Sequence, residues 1–286
     1  MNVRAIATPQ EFQERAGAFL EQREDENNAI LGNLHRLLET GSVVGGSAGE
    51  APFLCVAEDE GKVVAAAMRT PPSNLLLTRA PAVAVAVIAD FAARQRIEFP
   101  GVFAPTESAQ VFLTAWKKFS RRHVASLKPH RGQVCDRVIP PPAVAGRFDE
   151  ARASDVELLT DWRVAFFEEI GEPERADQCR PAVESAVNEG RLFVWRNPEP
   201  VAMATSTGHT RHGVRVGFVY TPKELRGRHY ATAITAALTQ HLLDSGRRFC
   251  FLFTVSDNAV SNHIYAKLGY RTVADYLLVN FEAGAR

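Results

Sequence analysis

One stretch of this chain, at residues 217–232, predicts a strand, a tight basic loop and the start of a helix: Gly217-Phe218-Val219-Tyr220-Thr221-Pro222-Lys223-Glu224-Leu225-Arg226-Gly227-Arg228-His229-Tyr230-Ala231-Thr232. Residues 214–220 are rich in β-formers, and Thr221-Pro222 ends them because proline cannot donate to a sheet ladder. Residues 231–243 then carry apolar side chains at helical spacing. The sequence therefore places a helix N-terminus directly after the loop.

This loop has the chemistry of an anion site. The first amides of a helix have no intrahelical acceptor, and the helix dipole is positive at that end. Arg226 and Arg228 add basic side chains, so the loop predicts a binding site for a phosphate or a pyrophosphate. Taken alone, Arg226-Gly227-Arg228 is equally typical of a solvated basic turn.

A second strand follows the predicted helix. Residues 249–255 form a continuous apolar run, which is typical of a strand buried on both faces. We expect it to run parallel to residues 214–220 after a right-handed crossover. Ligands of open α/β sheets bind at the carboxyl ends of parallel strands, which here are Tyr220 and Val255.

The next predicted helix opens at Asp257 or Asn258 and has two distinct faces. The predicted core face repeats every fourth residue and consists of Val260, Ile264 and Leu268. The other face is polar and consists of Asn258, Ser261, Asn262 and Tyr265. That polar face is suited to a ligand, although an N-cap, two solvated residues and a half-buried tyrosine are typical of many helices.

At these residues the chain resembles the GCN5-related N-acetyltransferase (GNAT) superfamily. The acetyl-coenzyme A motif of that family, Arg/Gln-x-x-Gly-x-Gly/Ala, is matched by Arg226 at its first place and Ala231 at its last. His229 stands where the family usually has glycine. The second signature, Asn-x-x-Ser-Asn-x-x-Tyr-x-x-x-Gly-Tyr/Phe, is matched by residues 258–270. The resemblance covers about residues 190–281.

The resemblance implies an N-acetyltransferase that uses acetyl-CoA as its cosubstrate and needs no metal. In the family the pantetheine lies along the strand through main-chain groups, here those of Phe218, Val219 and Tyr220. The implied pyrophosphate-binding residues are Arg226, Gly227, Arg228, His229, Tyr230, Ala231 and Thr232. Asn258 and Asn262 would face the pantetheine arm, and Tyr265 would be the catalytic acid that protonates the departing thiolate.

The acceptor implied by the resemblance is a primary amine of a small molecule or a peptide, attacking the thioester directly. An alkylammonium must lose a proton before it attacks, yet the strand at residues 214–220 carries no acid. Glu168, Glu169, His209 and His212 are candidates for a base acting through water, and each is also typical of a surface position.

His229 leaves two alternatives open. Its imidazole either turns outward and leaves the amide free, or crowds the phosphates. In the second case the domain would be a non-catalytic CoA-binding module, or a ligand-sensing or interaction module with a degenerate GNAT fold.

Composition excludes several other classes of function. The chain has 33 basic and 33 acidic residues and no basic run, so neither nucleic acid nor an anionic membrane is an expected partner. Its four cysteines, Cys55, Cys135, Cys179 and Cys250, form no Cys-x-x-Cys pair, which argues against a zinc site or a disulfide framework. The N-terminus lacks an apolar signal segment, so we expect a cytoplasmic protein.

The first half of the chain predicts the same order of elements: two helices, three strands, a helix, a strand and a helix. Only Arg79-Ala80-Pro81 connects the third of those strands to its helix, without a glycine-bearing phosphate loop. We therefore expect an α/β (α+β, GNAT-like) fold, a mixed central sheet flanked by helices, in two tandem domains. Residues 1–138 are predicted to be a degenerate GNAT-like domain, 139–146 a Pro-rich linker, and 147–286 the acetyltransferase domain.

Overall fold

The computed structural model describes residues 1–41, 51–120, 122–172 and 176–282. Within them the first half forms β1 (Asn2–Ile6), α1 (Pro9–Glu21), α2 (Asn28–Thr40), β2 (Phe53–Asp59), β3 (Lys62–Arg69), β4 (Leu75–Leu77), α3 (Ala82–Arg94), β5 (Gly101–Pro105), α4 (Thr106–Trp116) and β6 (Val124–Cys135). The second half forms β7 (Arg147–Glu150), α5 (Val156–Glu169), α6 (Ala176–Asn188), β8 (Leu192–Arg196), β9 (Pro200–Thr207), β10 (Gly213–Tyr220), α7 (Tyr230–Asp244), β11 (Phe249–Val255), α8 (Ala259–Lys267) and β12 (Arg271–Phe281).

The two halves repeat one order of ten elements, strand-helix-helix-strand-strand-strand-helix-strand-helix-strand. The predicted recurrence of elements is therefore confirmed. It extends two strands further than the predicted recurrence, because each half also begins with a strand, β1 or β7, and ends in a long strand, β6 or β12.

These two long strands join the halves into a single sheet. All twelve described strands form one sheet in the order β1-β2-β3-β4-β5-β12-β6-β11-β10-β9-β8-β7. β12 lies between β5 and β6, while β6 lies between β12 and β11. The order reads the same from both edges when each strand is exchanged for its counterpart, so the halves are related by a pseudo-twofold arrangement with exchanged last strands.

Helices cover both faces of this mixed sheet, as predicted. In the first half Leu54 and Val56 pack with α1 and α2, whereas the alternate residues Cys55 and Ala57 pack with α3 and α4. α5 and α6 cover one face of the second half, and α7 and α8 cover the other. This alternation follows from the two-residue period of a strand, and it places apolar side chains on both faces.

The Pro-rich segment 139–146 runs from central β6 toward β7, the edge strand of the second half. Its first residue, Ile139, donates its amide to Leu268 O over 3.0 Å. Near its end, Ala145 O accepts a hydrogen bond from Trp195 Nε1 over 2.9 Å. The segment therefore lies against the second half along its course, and the division of the chain at residues 139–146 stays a prediction.

Candidate active site

The candidate site begins where two parallel strands separate. β10 and β11 run parallel as predicted, but they pair only from Gly213↔Phe249 to Arg215↔Phe251. β11 stays paired with β6 as far as Val255↔His130. Residues 216–220 of β10 and residues 252–255 of β11 therefore border a gap, called the wedge below. Main-chain N–H and C=O groups that a continuous ladder would pair therefore face this gap.

A β-bulge bends β10 away from β11. Its register with β9 shifts between Gly217 and Tyr220, and Phe218 has a φ of +48°. A left-handed conformation costs a non-glycine residue about 1 to 2 kcal/mol. The Phe218 ring lies 5.3 Å from the Phe166 ring and 5.6 Å from the Phe167 ring, both on α5. Aromatic packing against α5 offsets this strain and holds the wedge open.

The loop after β10 presents a row of unused amides. Gly227 and His229 have φ values of +79° and +63°, and α7 begins directly after them at Tyr230. The amides of residues 227–232 make no hydrogen bond to any residue that the structure describes. Six consecutive donors therefore lie at the positive end of a 15-residue helix.

The side chains of this loop are less available than its amides. The Arg226 guanidinium donates to both oxygens of Glu169 at 2.7 and 2.8 Å, and to Thr221 O at 3.0 Å. Arg226 therefore ties the loop to the end of α5, and its charge is neutralised there. The side chain of Arg228 is exposed, as is that of His229.

His229 occupies the N-cap position of α7 in the left-handed conformation that glycine adopts most easily. The histidine thus reproduces the backbone of a glycine at this place. With its imidazole exposed, the geometry favours the first of the two alternatives, in which the side chain turns outward and leaves the amide free.

At the N-terminus of α8 two asparagines have different roles. Asn258 is the N-cap, and its Oδ1 accepts from the Ser261 amide over 3.0 Å. Asn262 is fully engaged: its Oδ1 accepts from the Thr254 hydroxyl and Gln133 Nε2, and its Nδ2 donates to the carbonyls of Val255 and Ser256. An amide side chain has no hydrogen-bonding capacity beyond these four contacts. Asn262 therefore fixes α8 to the end of β11 and to β6, and leaves no group for direct contact with a ligand.

The predicted core face of α8 is wrong at one end. Val260 is 71% exposed, because it lies in the first turn of a nine-residue helix, away from the core. Leu268 is buried as predicted, and Tyr265, assigned to the polar face, is only 9% exposed. Tyr265 packs in the same core cluster as Leu268.

Tyr265 nevertheless has an unused hydroxyl. Its oxygen makes no hydrogen bond to any described residue, whereas the hydroxyl of neighbouring Tyr270 pairs with Thr239 over 2.7 Å. Burial raises the pKa of Tyr265 to about 12. The phenol therefore keeps its proton at neutral pH and is a hydrogen-bond donor.

Three of the four base candidates from the sequence are engaged elsewhere. His212 Nδ1 lies 2.8 Å from Glu24 Oε2, just before β10 begins, at the end of β10 that is opposite the wedge. His209 Nδ1 lies 3.0 Å from a nitrogen of Arg247, which precedes β11, at the same end of the strands. Glu169 is the partner of Arg226, and Glu168 is exposed.

The strand that pairs with β11 on its other side is β6 from the first half, and the sequence did not predict this pairing. His130 of β6 pairs with Val255, the last residue of β11. Only the pairing of distant segments brings these residues together, and no local pattern signals it.

Comparison with protein families agrees with this geometry. Residues 156–270 match the model described as the Acetyltransferase (GNAT) family. These residues, which include the wedge, the loop and α8, are therefore similar to a GNAT acetyltransferase domain. No curated protein matches the chain.

Solved structures share the fold over the whole chain. A Drosophila protein is 10% identical, each chain is covered over 98% of its length, and the TM-score is 0.70. A GCN5-related N-acetyltransferase from Sphaerobacter thermophilus is 16% identical, with 100% of this chain and 96% of the other covered and a TM-score of 0.63. A tandem GNAT protein from the clavulanic acid biosynthesis pathway is 11% identical over 100% of both chains, with a TM-score of 0.55. These likenesses are of fold, and the last extends the GNAT architecture to both halves.

Among the described residues, every helix is too short or too polar to traverse a lipid bilayer.

Proposed function

We propose that the second half of the chain transfers an acetyl group from acetyl-CoA to a primary amine of a small molecule or a peptide. The observation that carries this proposal is the row of six unused amides at residues 227–232, placed directly beside the wedge. A diphosphate is a ligand whose oxygens match such a row. An extended arm with amide groups matches the unpaired strand edge that borders the wedge.

Both parts of the site fit the coenzyme. The amides of Gly227, Arg228, His229, Tyr230, Ala231 and Thr232 would hold the pyrophosphate, and the exposed Arg228 side chain lies near enough in sequence to add charge. Main-chain groups of Phe218, Val219 and Tyr220 at the bulge would hold the pantetheine. Asn258 would flank the arm, while Arg226 and Asn262 would position the loop and α8 through their own hydrogen bonds.

Acetyl-CoA, when bound, supplies an acetyl group activated as a thioester. The chain contributes proximity, since an amine held beside the wedge attacks without a further search for orientation. Main-chain N–H groups at the bulge are suited to polarise the carbonyl. Tyr265 holds a proton on its hydroxyl at neutral pH and gives it to the sulfur as the bond to carbon breaks.

Calorimetry followed by a thiol-release assay tests the proposal. We expect acetyl-CoA to bind with a micromolar Kd, which corresponds to about −8 kcal/mol. We also expect thiol release when pooled amino acids, polyamines, aminoglycosides or peptides with free N-termini are added. Binding without thiol release from any pool would favour a non-catalytic CoA-binding module. Absence of binding would favour a ligand-sensing or interaction module that keeps only the fold.

A further inference from the structure

The acceptor is assigned to the face of the wedge that α5 and α6 cover, because an apolar core fills the opposite face. On the opposite face, Tyr265 and Leu268 of α8 and Val219 of β10 belong to or pack on one apolar core. On the α5 side, Phe218 of β10 forms one wall with the aromatic rings of α5. An amine bound there would lie between α5 and whichever groups project from β11 and β6 on the same face.

His130 projects from β6 on that face. Lys128, two residues earlier and therefore on the same side of the strand, donates to Ile170 O just after α5 over 3.1 Å. The His130 ring lies 5.7 Å from the Phe103 ring. Phe103 also contacts Phe253 of β11, at 5.1 Å. Aromatic rings from β5 and β11 thus fix the wall that carries the imidazole.

His130 also lies at the level where β11 ends. Its pairing partner is Val255, and Ser256 then donates its amide to Pro129 O over 2.9 Å. Directly opposite residues of antiparallel strands are about 5 Å apart. The Cα of His130 is therefore about one strand spacing from that of Val255, at the end of β11 where the wedge opens, and β11 lies between His130 and the wedge.

The hydrogen bond of the ring defines which nitrogen is available. His130 Nδ1 lies 3.0 Å from Lys128 O, and a carbonyl oxygen only accepts. Nδ1 therefore carries the hydrogen in the neutral ring, and Nε2 keeps a free lone pair. This is the tautomer that a base requires.

We infer that His130, supplied by the first half of the chain, is the general base that takes a proton from the acceptor ammonium in the second half. This inference rests on the proposed acetyl transfer. Nε2 takes one proton before the amine attacks, and the proton then passes to solvent. As the C–N bond forms and the C–S bond breaks, Tyr265 gives its proton to the sulfur. The nitrogen then loses a second proton, which returns to the Tyr265 oxygen.

The surroundings keep the imidazole neutral at the pH where a base is needed. Burial lowers the pKa of His130, and the positive charge of Lys128 acts in the same direction. The main-chain bond to Lys128 O and the negative charge of Glu172, which itself pairs with Lys128 at 3.4 Å, oppose this and are outweighed. The other ring neighbours, Phe103 and the phenol of Tyr276 stacked on it, carry no charge at neutral pH.

The test uses His130→Asn, because the asparagine amide can still donate to Lys128 O but offers no basic nitrogen. His123→Asn, at an exposed histidine before β6, is the matched control. With an amine identified by thiol release, we expect His130→Asn to lower kcat about 100-fold at pH 7 and to leave the acetyl-CoA Kd unchanged. The ionisation in the acidic limb of the wild-type kcat/KM profile should disappear, and activity should recover as pH rises toward the amine pKa.

Nitrogen-15 NMR of the full-length wild-type chain without ligand gives a readout independent of turnover. We expect the His130 ring to be the Nδ1–H tautomer with an unprotonated Nε2 at pH 7. Retention of kcat within twofold, with the acidic limb intact, would overturn the inference, as would an Nε2–H tautomer. If His130→Asn does not fold, His130→Gln is judged by the same criteria. A wild type that releases no thiol with any amine refutes the proposed function and this inference together, whereas a fully active variant refutes only the role of His130.

Discussion

The same connection is built differently in the two halves. In the first half, β4 has three residues and residues 78–81 join it to α3, with no positive φ among them. In the second half, β10 has eight residues and a bulge, and residues 221–229 join it to α7 with two positive φ values. The Arg79 side chain of the short connection is held by Glu26 and Glu107 at 2.9 and 2.7 Å. One fold therefore carries two different turns, and only the longer one presents six consecutive free amides.

The helices that follow β5 and β11, which are α4 and α8, also differ in their polar residues. Counted from the N-cap, Pro105 of α4 corresponds to Asn258 of α8, and Ala109 corresponds to Asn262. Phe112, fully buried, stands where α8 has Tyr265. The first half keeps a serine, Ser108, at the place of Ser261, but it lacks both asparagines and the tyrosine hydroxyl. The difference teaches that the fold tolerates either apolar or polar residues at these positions, while the proposed chemistry requires the hydroxyl of Tyr265.

The largest expected effect comes from making α8 resemble α4 at one atom. Tyr265→Phe removes the hydroxyl and leaves the ring in its apolar site, as in Phe112. We expect kcat to fall about 100-fold, because loss of a general acid costs at least that much, while the acetyl-CoA Kd stays within twofold. Steady-state kinetics and calorimetry measure the two quantities.

Tyr270→Phe is the control for this prediction, since its ring packs 5.7 Å from Tyr265 and its hydroxyl is already paired with Thr239. We expect it to lower the free energy of unfolding by about 1 kcal/mol and to leave kcat unchanged. Equal turnover of Tyr265→Phe and the wild type would remove Tyr265 from the mechanism.

A smaller effect is expected where the first half supports the second. Glu24, between α1 and α2, accepts hydrogen bonds from the Thr210 hydroxyl, from the His212 amide and ring, and from the Gly213 amide. Glu24→Gln breaks part of this buried set, and we expect the free energy of unfolding to fall by about 2 kcal/mol. Glu21→Gln is the matched control, because its ion pair with Arg211 is more exposed and should cost less than about 0.5 kcal/mol.

The contribution of Glu24 should also depend on pH. Burial opposes its ionisation, but the hydrogen bonds of Thr210 and His212 outweigh burial, and the pKa of Glu24 is lowered from 4.5. A lowered pKa means that this stabilisation is present above the unfolded value and is lost as pH falls below about 4.5. Denaturant unfolding between pH 7 and pH 3 should converge for Glu24→Gln and the wild type. A constant difference over that range would contradict the assignment.

The third comparison tests the long turn itself. Gly227→Val places a β-branched residue at a φ of +79°, where nothing lies within 4 Å of the added Cβ, so its effect is backbone strain alone. We expect the acetyl-CoA affinity to fall about 10-fold, because strain of about 1 to 2 kcal/mol displaces the amides. Gly246→Val, at a φ of +96° after the far end of α7, has equally open surroundings. Gly246→Val should lower the free energy of unfolding by a similar amount and leave the acetyl-CoA affinity unchanged. An equal loss of affinity in both variants would argue against phosphate binding by the amides at residue 227.

The sequence predicted the local units of this protein better than their assembly. Proline at 222 and the helical spacing after residue 231 correctly marked the end of β10 and the course of α7. The exchange of β6 and β12 escaped prediction, because strand pairing between residues more than a hundred positions apart leaves no local pattern. The same non-local pairing explains why Asn262, which resembles a ligand contact in sequence, is engaged by Gln133 of the first half.

The roles of the individual site residues stay predictions. The smallest effect among them is expected at His229. His229→Gly returns the loop to the residue that its left-handed backbone favours, and the exposed imidazole makes no contact that the loop depends on. We therefore expect the acetyl-CoA Kd to change less than about threefold and the free energy of unfolding by less than about 1 kcal/mol. Glu60→Gly, at a φ of 49° in the β2–β3 turn, is the control for the backbone effect alone. A tenfold gain in affinity for His229→Gly, absent from Glu60→Gly, would mean that the imidazole obstructs the phosphates. The second half would then resemble the first half in lacking an accessible phosphate site, despite its longer turn.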